Sequence, residues 1–290
     1  MKMQGTFFSR RSFMGGLTAA GAASLLPGCC SVCAGKGPCS KFGGVQVGVI
    51  TYSYRSMPDK SAEAVLAQVV GSGINSIELM GDVVEKYAGA SLEKVGELRK
   101  MYADAGVGIH IVKFGNIGDK GCTDERIAYY FNVAQALGAK AITREISEEA
   151  ARRVGPLADR HGVKVAFHNH MQINATTYDG PILSYGKNLA INLDIGHYTA
   201  ANDDCVLAII EKYHDRIFSL HLKDRKNKAN KGTNMPFGQG DTPVVEALRL
   251  LQKNKWRIYA DIELEYPVPQ DSDAVREVGK CVQYCRQALA

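Results

Sequence analysis

The sequence predicts a (β/α)8 TIM barrel over residues 45–290, after a signal at residues 1–29 and a linker at residues 30–44. Strand-like and helix-like stretches alternate without a break in the barrel region, an order typical of a parallel α/β sheet. Several strands carry apolar residues at every second position, which is the side-chain period of a strand. Without the first 28 residues, about 262 of the 290 residues remain, close to the roughly 250 of this fold.

Each element of the barrel is predicted from its own apolar pattern. The eight predicted strands cover residues 45–52, 76–80, 108–114, 139–145, 163–170, 190–197, 218–224 and 259–266. The predicted helices cover residues 61–71, 91–105, 125–137, 147–161, 203–213, 242–253 and 272–289. Gly138 and Gly162 follow two of these helices, where glycine commonly ends a helix. The connection at residues 175–188 is marked by Pro and Gly and holds a short helix at most.

Three late strands end in polar residues that alternate with apolar ones. These residues are Asp194, His221 and Glu263. Inward side chains of a parallel barrel converge on its axis, and active sites lie at the C-terminal ends of the strands. Two carboxylates and an imidazole suit a divalent metal ion. The sequence therefore predicts a site for Mn, Zn, Co, Fe or Mg that Asp194, His221 and Glu263 hold.

The same alternation brings three more residues to this end of the barrel. Glu145 ends the fourth strand on its inward face, and His168 and His170 lie on the inward face of the fifth. We expect one of the three to complete the metal shell, and the sequence leaves open which of them does. All three are also candidate catalytic residues, because carboxylates and imidazoles are common acids and bases in enzymes.

Three residues are predicted at the rim of this end. Lys223 is a candidate catalytic residue that binds a substrate oxygen, with pairing to a carboxylate as the alternative. His197 and Glu265 are candidates for substrate binding, and Glu265 is expected at the rim rather than among the metal ligands. The segment at residues 223–231 is rich in Lys and Asn, which predicts a solvated loop, with closure over a substrate as the alternative.

Four short motifs in order resemble the xylose-isomerase-like TIM-barrel superfamily, in particular its sugar phosphate isomerase/epimerase group. They are D-I-G-H at 194–197, H-L-K-D at 221–224, G-Q-G-D at 238–241 and I-E-L-E at 262–265. The resemblance covers residues 45–288 and implies one metal ion held by Glu, Asp, His and Glu from strands five to eight. Here H-N-H at 168–170 stands in place of the strand-five Glu motif, so His168 occupies that position. Glu145 is the alternative source of the missing carboxylate.

The chemistry that suits such a site is removal of a proton from a carbon next to a carbonyl. A divalent ion polarises the carbonyl, while Glu263 takes the proton and Glu145 or a strand-five histidine acts as its partner. Return of the proton predicts an isomerase or epimerase of an unphosphorylated keto sugar, since no Gly-rich phosphate loop is evident. Loss of a β-substituent predicts the alternative, a lyase or dehydratase of a keto sugar such as a 3-keto-glycoside, or of a cyclitol.

Charge argues against a nucleic-acid partner. The chain has 35 basic and 30 acidic residues, a net charge of +5, which is too small a surplus to indicate nucleic acid or an acidic membrane surface. Its seven histidines are few for the trinuclear zinc cluster of the endonucleases in this superfamily. We therefore expect a small sugar as the partner, and the sequence leaves open whether the protein is a homo-oligomer.

The N-terminal segment resembles an export signal. Residues 9–13 (S-R-R-S-F) form a twin-arginine pattern, and residues 14–26 are apolar but too short to span a membrane comfortably. Residues 26–29 (L-P-G-C) resemble a bacterial lipobox, which predicts a lipid and a membrane anchor on Cys29. Small residues at 19–24 leave a cleaved form without lipid open. We expect export by the twin-arginine route, to the periplasm or to a membrane-anchored position outside the cytoplasm.

Overall fold

The computed structural model describes residues 37–290. The predicted signal at residues 1–29, which includes Cys29, and the first part of the predicted linker lie outside the described residues. Between residues 37 and 290, no helix is both long enough and apolar enough to cross a bilayer.

Eight parallel strands form a closed barrel, preceded by a two-residue strand, β1 (Lys41–Phe42). In order around the barrel, the eight strands are β2 (Val45–Ile50), β3 (Ser76–Met80), β4 (Gly108–Lys113), β5 (Ala141–Glu145), β6 (Lys164–His168), β7 (Leu189–Asp194), β8 (Ile217–Leu222) and β9 (Tyr259–Ile262). Val47 pairs with Ala260 and Val49 with Ile262, and these pairings between β2 and β9 close the barrel. The predicted (β/α)8 TIM barrel is confirmed.

Residues 40–42 lie inside the predicted linker at 30–44 but belong to the barrel. β1 pairs antiparallel with the start of β2. Ser40 is fully buried, and its hydroxyl contacts Val47 O at 2.6 Å and Asn75 Oδ1 at 2.7 Å. These hydrogen bonds hold the chain against the N-terminal end of the barrel, so the ordered region starts before residue 45.

Nine helices surround the strands in the described part of the chain. They are α1 (Ala62–Gly71), α2 (Gly81–Ala88), α3 (Leu92–Asp104), α4 (Asp124–Leu137), α5 (Glu148–His161), α6 (Ile195–Ala201), α7 (Val206–Tyr213), α8 (Val244–Asn254) and α9 (Ala274–Ala288). Ser and Thr side chains cap several N-termini, as Ser147 does by accepting the amide hydrogen of Ala150. Such caps satisfy amide groups that have no partner inside the helix. Gly138 and Gly162 adopt left-handed conformations after α4 and α5, as predicted.

Six of the eight predicted strands end one to four residues earlier than expected, and three of these ends lie at the site. The strand predicted at residues 190–197 stops at Asp194, whose side chain accepts the amide hydrogen of His197 at 2.7 Å and caps α6. The strand predicted at 163–170 ends at His168, and the one predicted at 259–266 ends at Ile262. Loops and a helix therefore orient the residues that follow, and strand alternation does not decide where their side chains point.

The apolar core lies between the barrel and the helices, whereas much of the barrel interior is polar. Outward strand residues such as Ile77, Leu193 and Leu220 are fully buried, and each such side chain stabilises the fold by about 1.5–3 kcal/mol. Inside the barrel, His110 contacts Ser76 Oγ through Nδ1 at 2.8 Å and Asp261 Oδ2 through Nε2 at 2.9 Å. Buried polar groups of this kind are stable only when they are paired.

Two helical glycines should respond oppositely to replacement by Ala. A Cβ on Gly155 of α5 would overlap the carbonyl oxygen of Tyr185, whereas one on Gly96 of α3 would meet open space. We expect Gly155→Ala to lower the free energy of unfolding by about 1–3 kcal/mol through overpacking. Gly96→Ala, the matched control, should raise it by about 0.5–1 kcal/mol because Ala is the better helix former. Denaturant unfolding measures both, and a stable Gly155→Ala variant would contradict the close packing.

Candidate metal centre and active site

The candidate centre lies at the C-terminal ends of four neighbouring strands. One ligand atom each of His168, Asp194, His221 and Glu263 lies within 4.8 Å of the other three. His168 and Asp194 end β6 and β7, His221 is the penultimate residue of β8, and Glu263 directly follows β9. All four are at most 6% exposed. The strand ends thus bring together two imidazoles and two carboxylates in one buried group.

A second group of three histidines shares one member with this centre. Ligand atoms of His168, His170 and His197 also lie within 4.8 Å of one another. Nδ1 of His168 is 2.8 Å from Asn192 Oδ1. That oxygen only accepts, so Nδ1 carries the proton and only Nε2 can bind an ion. A single free nitrogen on His168 serves one ion, so the two groups are alternatives.

His197 is poorly suited to hold a cation, because two cationic side chains contact its ring. Lys223 Nζ lies 2.9 Å from Nε2, and Arg225 Nη1 lies 2.5 Å from Nδ1. Burial, followed by the charges of Lys223 and Arg225, lowers the pKa of His197 to about 3. The imidazole is therefore neutral near pH 7, and the four-residue centre is the better fit for a metal ion.

Asp194 carries an oxygen that fits such an ion. Its Oδ1 accepts the amide hydrogen of His197, whereas the buried Oδ2 accepts no hydrogen bond. Asn169 fixes the Asp194 backbone by accepting from its N–H at 2.9 Å and donating to its C=O at 3.1 Å. Two imidazole nitrogens and two carboxylates suit Zn²⁺, Co²⁺ or Fe²⁺. The donor set therefore fits a divalent ion.

Lys223 brings a buried positive charge to these carboxylates. Its Nζ lies 3.0 Å from Asp194 Oδ2, 3.0 Å from Glu263 Oε2 and 2.8 Å from Glu265 Oε2. Its contact with Asp194 is an ion pair that lacks hydrogen-bond geometry. Burial alone lowers the pKa of Lys223, but Asp194 and the two glutamates raise it above its ordinary value. Lys223 is therefore charged, and it links the centre to Glu265 at the rim.

His221 lies between two carboxylates. Nδ1 is 2.9 Å from Glu263 Oε2, and Nε2 is 2.9 Å from Glu78 Oε2. Burial lowers the pKa of His221, but the charges of Glu78 and Glu263 outweigh that effect and raise it to about 10. The sequence analysis did not select Glu78, although its alternation with Ile77 and Leu79 in β3 marks it as an inward residue.

Glu145 lies beside the four-residue centre and outside it. Its Oε1 is 3.0 Å from Lys113 Nζ, and its Oε2 is 3.5 Å from Nδ1 of the half-exposed His170. Burial lowers the pKa of Lys113, but Glu78 and Glu145 raise it above its ordinary value. Of the three residues predicted as alternatives for the fourth ligand, the structure places His168 among the donors, with Glu145 and His170 in a separate pair. Lys113 follows two apolar residues in β4, so no alternation marks it in the sequence.

The carboxylate of Asp224 anchors the loop that carries the G-Q-G-D motif. It accepts the amide hydrogens of Gly238 at 2.8 Å, Gly240 at 2.9 Å and Thr242 at 3.3 Å. A Cβ on Gly240 would overlap Asp224 Oδ1, which explains a glycine at that position. The anchored loop holds the Arg225 backbone through Thr242 and Asp241, and so positions the cationic side chains that contact His197.

Known proteins with similar sequence or fold include a dehydratase and an epimerase. An inosose dehydratase of Clostridium perfringens is 29% identical over 136 residues, 40% of this chain and 46% of that protein. The chain thus spans less than half the length of this curated relative. A structure of an IolI protein with a bound zinc atom has a TM-score of 0.65 at 15% identity, covering 85% of this chain and 99% of that one. A D-psicose 3-epimerase of Clostridium cellulolyticum H10 with D-tagatose has a TM-score of 0.64 at 16% identity, covering 84% and 99%.

At such identities the two structures establish a likeness of fold alone. The family model described as the xylose isomerase-like TIM barrel matches residues 66–284, well over half of the chain. That match agrees with the closed eight-stranded barrel, with the strand-end site and with the four motifs that carry the resemblance. The chain belongs to the xylose isomerase-like TIM-barrel family.

Proposed function

We propose that the protein is a metal-dependent lyase that removes a β-substituent from an unphosphorylated keto sugar or cyclitol. The sequence analysis gave this as the alternative to an epimerase. The observation that carries the proposal is His168, which stands in the donor group where the family resemblance implies a glutamate. An epimerase of this mechanism needs two groups that remove and return a proton on opposite faces of one carbon. An elimination needs one base and an acid for the leaving group.

Glu263 is the base in this proposal. Burial raises the pKa of its carboxyl, but Lys223 and His221 lower it well below its ordinary value, so the group is ionised. Asp194 is less suited, because its Oδ1 caps α6. A divalent ion held by His168, Asp194, His221 and Glu263 would polarise the substrate carbonyl and stabilise the charge left by the departing proton.

The His170–Glu145 pair supplies the acid for the leaving group. Glu145 ends β5, which lies opposite β9 in the eight-stranded barrel, so the pair faces Glu263 across the mouth. Its imidazole is half exposed, and its Nδ1 faces Glu145 Oε2, which leaves Nε2 for a substrate oxygen. Base and acid on opposite sides of the ring suit removal of a proton on one face and loss of hydroxide or an alcohol on the other. Among the predicted substrate-binding residues, Glu265 lies at the rim beside Lys223 and is the one we assign to a substrate hydroxyl, since both His197 nitrogens already have close partners.

The charges around the mouth favour an uncharged substrate. Five carboxylates line it, those of Glu78, Glu145, Asp194, Glu263 and Glu265. Lys113, Lys223 and Arg225, together with a divalent ion, balance these five charges. A phosphate group would bring further negative charge to a mouth that already holds these carboxylates. This balance supports a neutral polyhydroxylated ketone.

Glu263→Gln should lower kcat by at least the 10²–10⁴-fold that loss of a general base typically costs. Turnover of a keto-inositol and a 3-keto-glucoside in D₂O, followed by mass spectrometry, tests this. The wild-type product should be lighter than the substrate by one water or by the alcohol of the glycoside. Glu277→Gln is the matched control, since Glu277 is also buried but lies in α9 with Tyr266 and Ser272 as partners. A product that keeps the leaving group and gains one carbon-bound deuterium would favour the epimerase, and near-native rates in Glu263→Gln would refute the assigned base.

Purified protein should contain about one divalent ion per chain, and Asp194→Ala and His221→Ala should lose most of it because each removes a donor of the buried group. Elemental analysis after gel filtration measures the content. Glu265→Gln serves as the control, since this carboxylate contacts Lys223 at the rim and lies outside the donor group. Full occupancy in both donor variants would disprove the centre.

We also propose that the protein is exported through the twin-arginine pattern at residues 9–13. Changing Arg10 and Arg11 together to Lys should keep it in the cytoplasm, because the paired guanidinium groups define the signal. Cell fractionation measures the distribution, with Lys2→Ala as a control that leaves the pair intact. Cys29→Ser separates a lipid anchor from the route of export. Export of the double variant at the wild-type level would show that another signal acts.

A further inference from the structure

We infer that Asn192 and Glu78 are positioning residues that fix which ring nitrogen of His168 and of His221 faces the metal ion. As a consequence, the centre selects an ion that prefers imidazole, such as Zn²⁺ or Co²⁺, over Mg²⁺. This inference rests on the proposed metal centre. It concerns two buried side chains that do not belong to the donor group themselves.

Asn192 decides the tautomer of His168. It lies in β7, is fully buried, and its Nδ2 donates to Glu78 Oε2 at 3.2 Å and to Ser219 Oγ at 2.7 Å. A carboxylate such as Glu78 only accepts, so the amide must turn its NH₂ group towards it and its Oδ1 towards His168. His168 Nδ1 must then carry the proton that this oxygen accepts at 2.8 Å. The lone pair of His168 is thereby confined to Nε2.

Glu78 decides the orientation of His221. Its Oε2 accepts from His221 Nε2 at 2.9 Å, and its Oε1 accepts from the hydroxyl of Thr143. Nε2 of His221 is therefore a donor. Nδ1 donates in the same way to Glu263 Oε2 at 2.9 Å. Since Glu263 is itself a candidate ligand, an ion bound there would replace the Nδ1 proton and leave the Nε2 proton on Glu78. Outer partners of this kind raise the basicity of a ligating imidazole and fix its ring.

One network thus orients both imidazoles. Glu78 and Asn192 are each 0% exposed. A buried carboxylate contributes little to the stability of a fold, because well-packed apolar side chains of similar size often stabilise it as much or more. Ser76, His110 and Asp261 form a similar hydrogen-bonded layer near the other end of the barrel. Among the described residues, none of these three belongs to a group that could hold a metal ion. The network at Asn192 differs in that it ends on two imidazoles of the candidate centre, at His168 Nδ1 and His221 Nε2, the nitrogens that do not face the ion.

The selectivity for the metal ion follows from the fixed ring nitrogens of His168 and His221. The family resemblance implies three carboxylates and one imidazole, whereas this centre has two of each. Imidazole suits Zn²⁺, Co²⁺ and Fe²⁺, whereas carboxylates and water suit Mg²⁺. A His168 ring whose Nε2 faces the ion therefore strengthens Zn²⁺ and Co²⁺ binding and contributes little to Mg²⁺ binding.

Metal titration of the full-length, metal-stripped protein tests the network. We expect Asn192→Leu to weaken Zn²⁺ binding by about 10–100-fold, the usual effect of losing an outer partner, and to shift the visible spectrum of bound Co²⁺. Mg²⁺ binding should change little. Asn75→Leu is the matched control, because Asn75 also holds polar partners, Ser40 and Gln46, but on the N-terminal side of the barrel. Glu78→Gln is a second variant if Asn192→Leu fails to fold. It keeps the size of the side chain but replaces one acceptor oxygen with an NH₂ donor, so it too should weaken Zn²⁺ binding, with Glu277→Gln as its control.

A double-variant comparison separates positioning from simple packing. In the His168→Glu background a carboxylate replaces the imidazole, and a carboxylate has no tautomer to fix. Asn192→Leu should then lose most of its effect on Zn²⁺ binding. Equal losses in both backgrounds, or equal losses of Zn²⁺ and Mg²⁺ binding, would overturn the inference and leave the centre standing. A wild-type protein that binds neither Zn²⁺ nor Co²⁺ would overturn both this inference and the proposed centre.

Discussion

Charges buried at the C-terminal end of the barrel are the constraint on which the rest of the site depends. Carboxylates of Glu78, Asp194 and Glu263 are at most 6% exposed, and an unpaired charge in such a place costs several kcal/mol. Lys223 Nζ contacts two of the three, and the ring of His221 bridges Glu78 and Glu263. Lys223 and His221, whose pKa the two glutamates raise to about 10, therefore supply the positive charge that stabilises these carboxylates. A divalent ion would supply that charge in place of the proton that His221 gives up to bind it.

Strand register brings these groups together. His168 pairs with Asn192 between β6 and β7, and Asp194 pairs with His221 between β7 and β8. Side chains that are paired across neighbouring parallel strands share a face of the sheet, so the donors and their outer partners reach the barrel interior at adjoining levels. A shift of one residue in any of these pairings would turn a donor outward. The irregular pairing between Ile191 and Asn192 comes before Asp194 and leaves its pairing with His221 in place.

Much of this arrangement could be predicted from the sequence, and there are physical reasons why the remaining contacts could not. Alternation in the late strands identified Asp194 and His221, because both residues lie within their strands, beyond the irregular pairing between Ile191 and Asn192. It could not show that Asp194 caps a helix and ends its strand, since that depends on a hydrogen bond to His197 three residues on. Glu78 was visible as an inward residue, but its importance comes from contacts with His221 and Asn192, 143 and 114 residues away in the chain. Lys113 and Arg225 gave no periodic signal, because their roles depend on loops and charges brought in by other strands.

One substitution relative to the family pattern accounts for much of what is particular to this site. A glutamate at position 168 would add a negative charge beside Asp194 and Glu263 and would offer a second base next to the ion. His168 instead brings an imidazole whose pKa burial, together with Lys113, lowers well below the ordinary value, so in the proposed centre it would be a neutral ligand. The two proposed proton-transfer groups then differ in kind. Glu263 is a buried carboxylate, whereas His170, across the mouth, is a half-exposed imidazole. Such asymmetry suits a reaction in which the proton taken and the proton given go to different atoms.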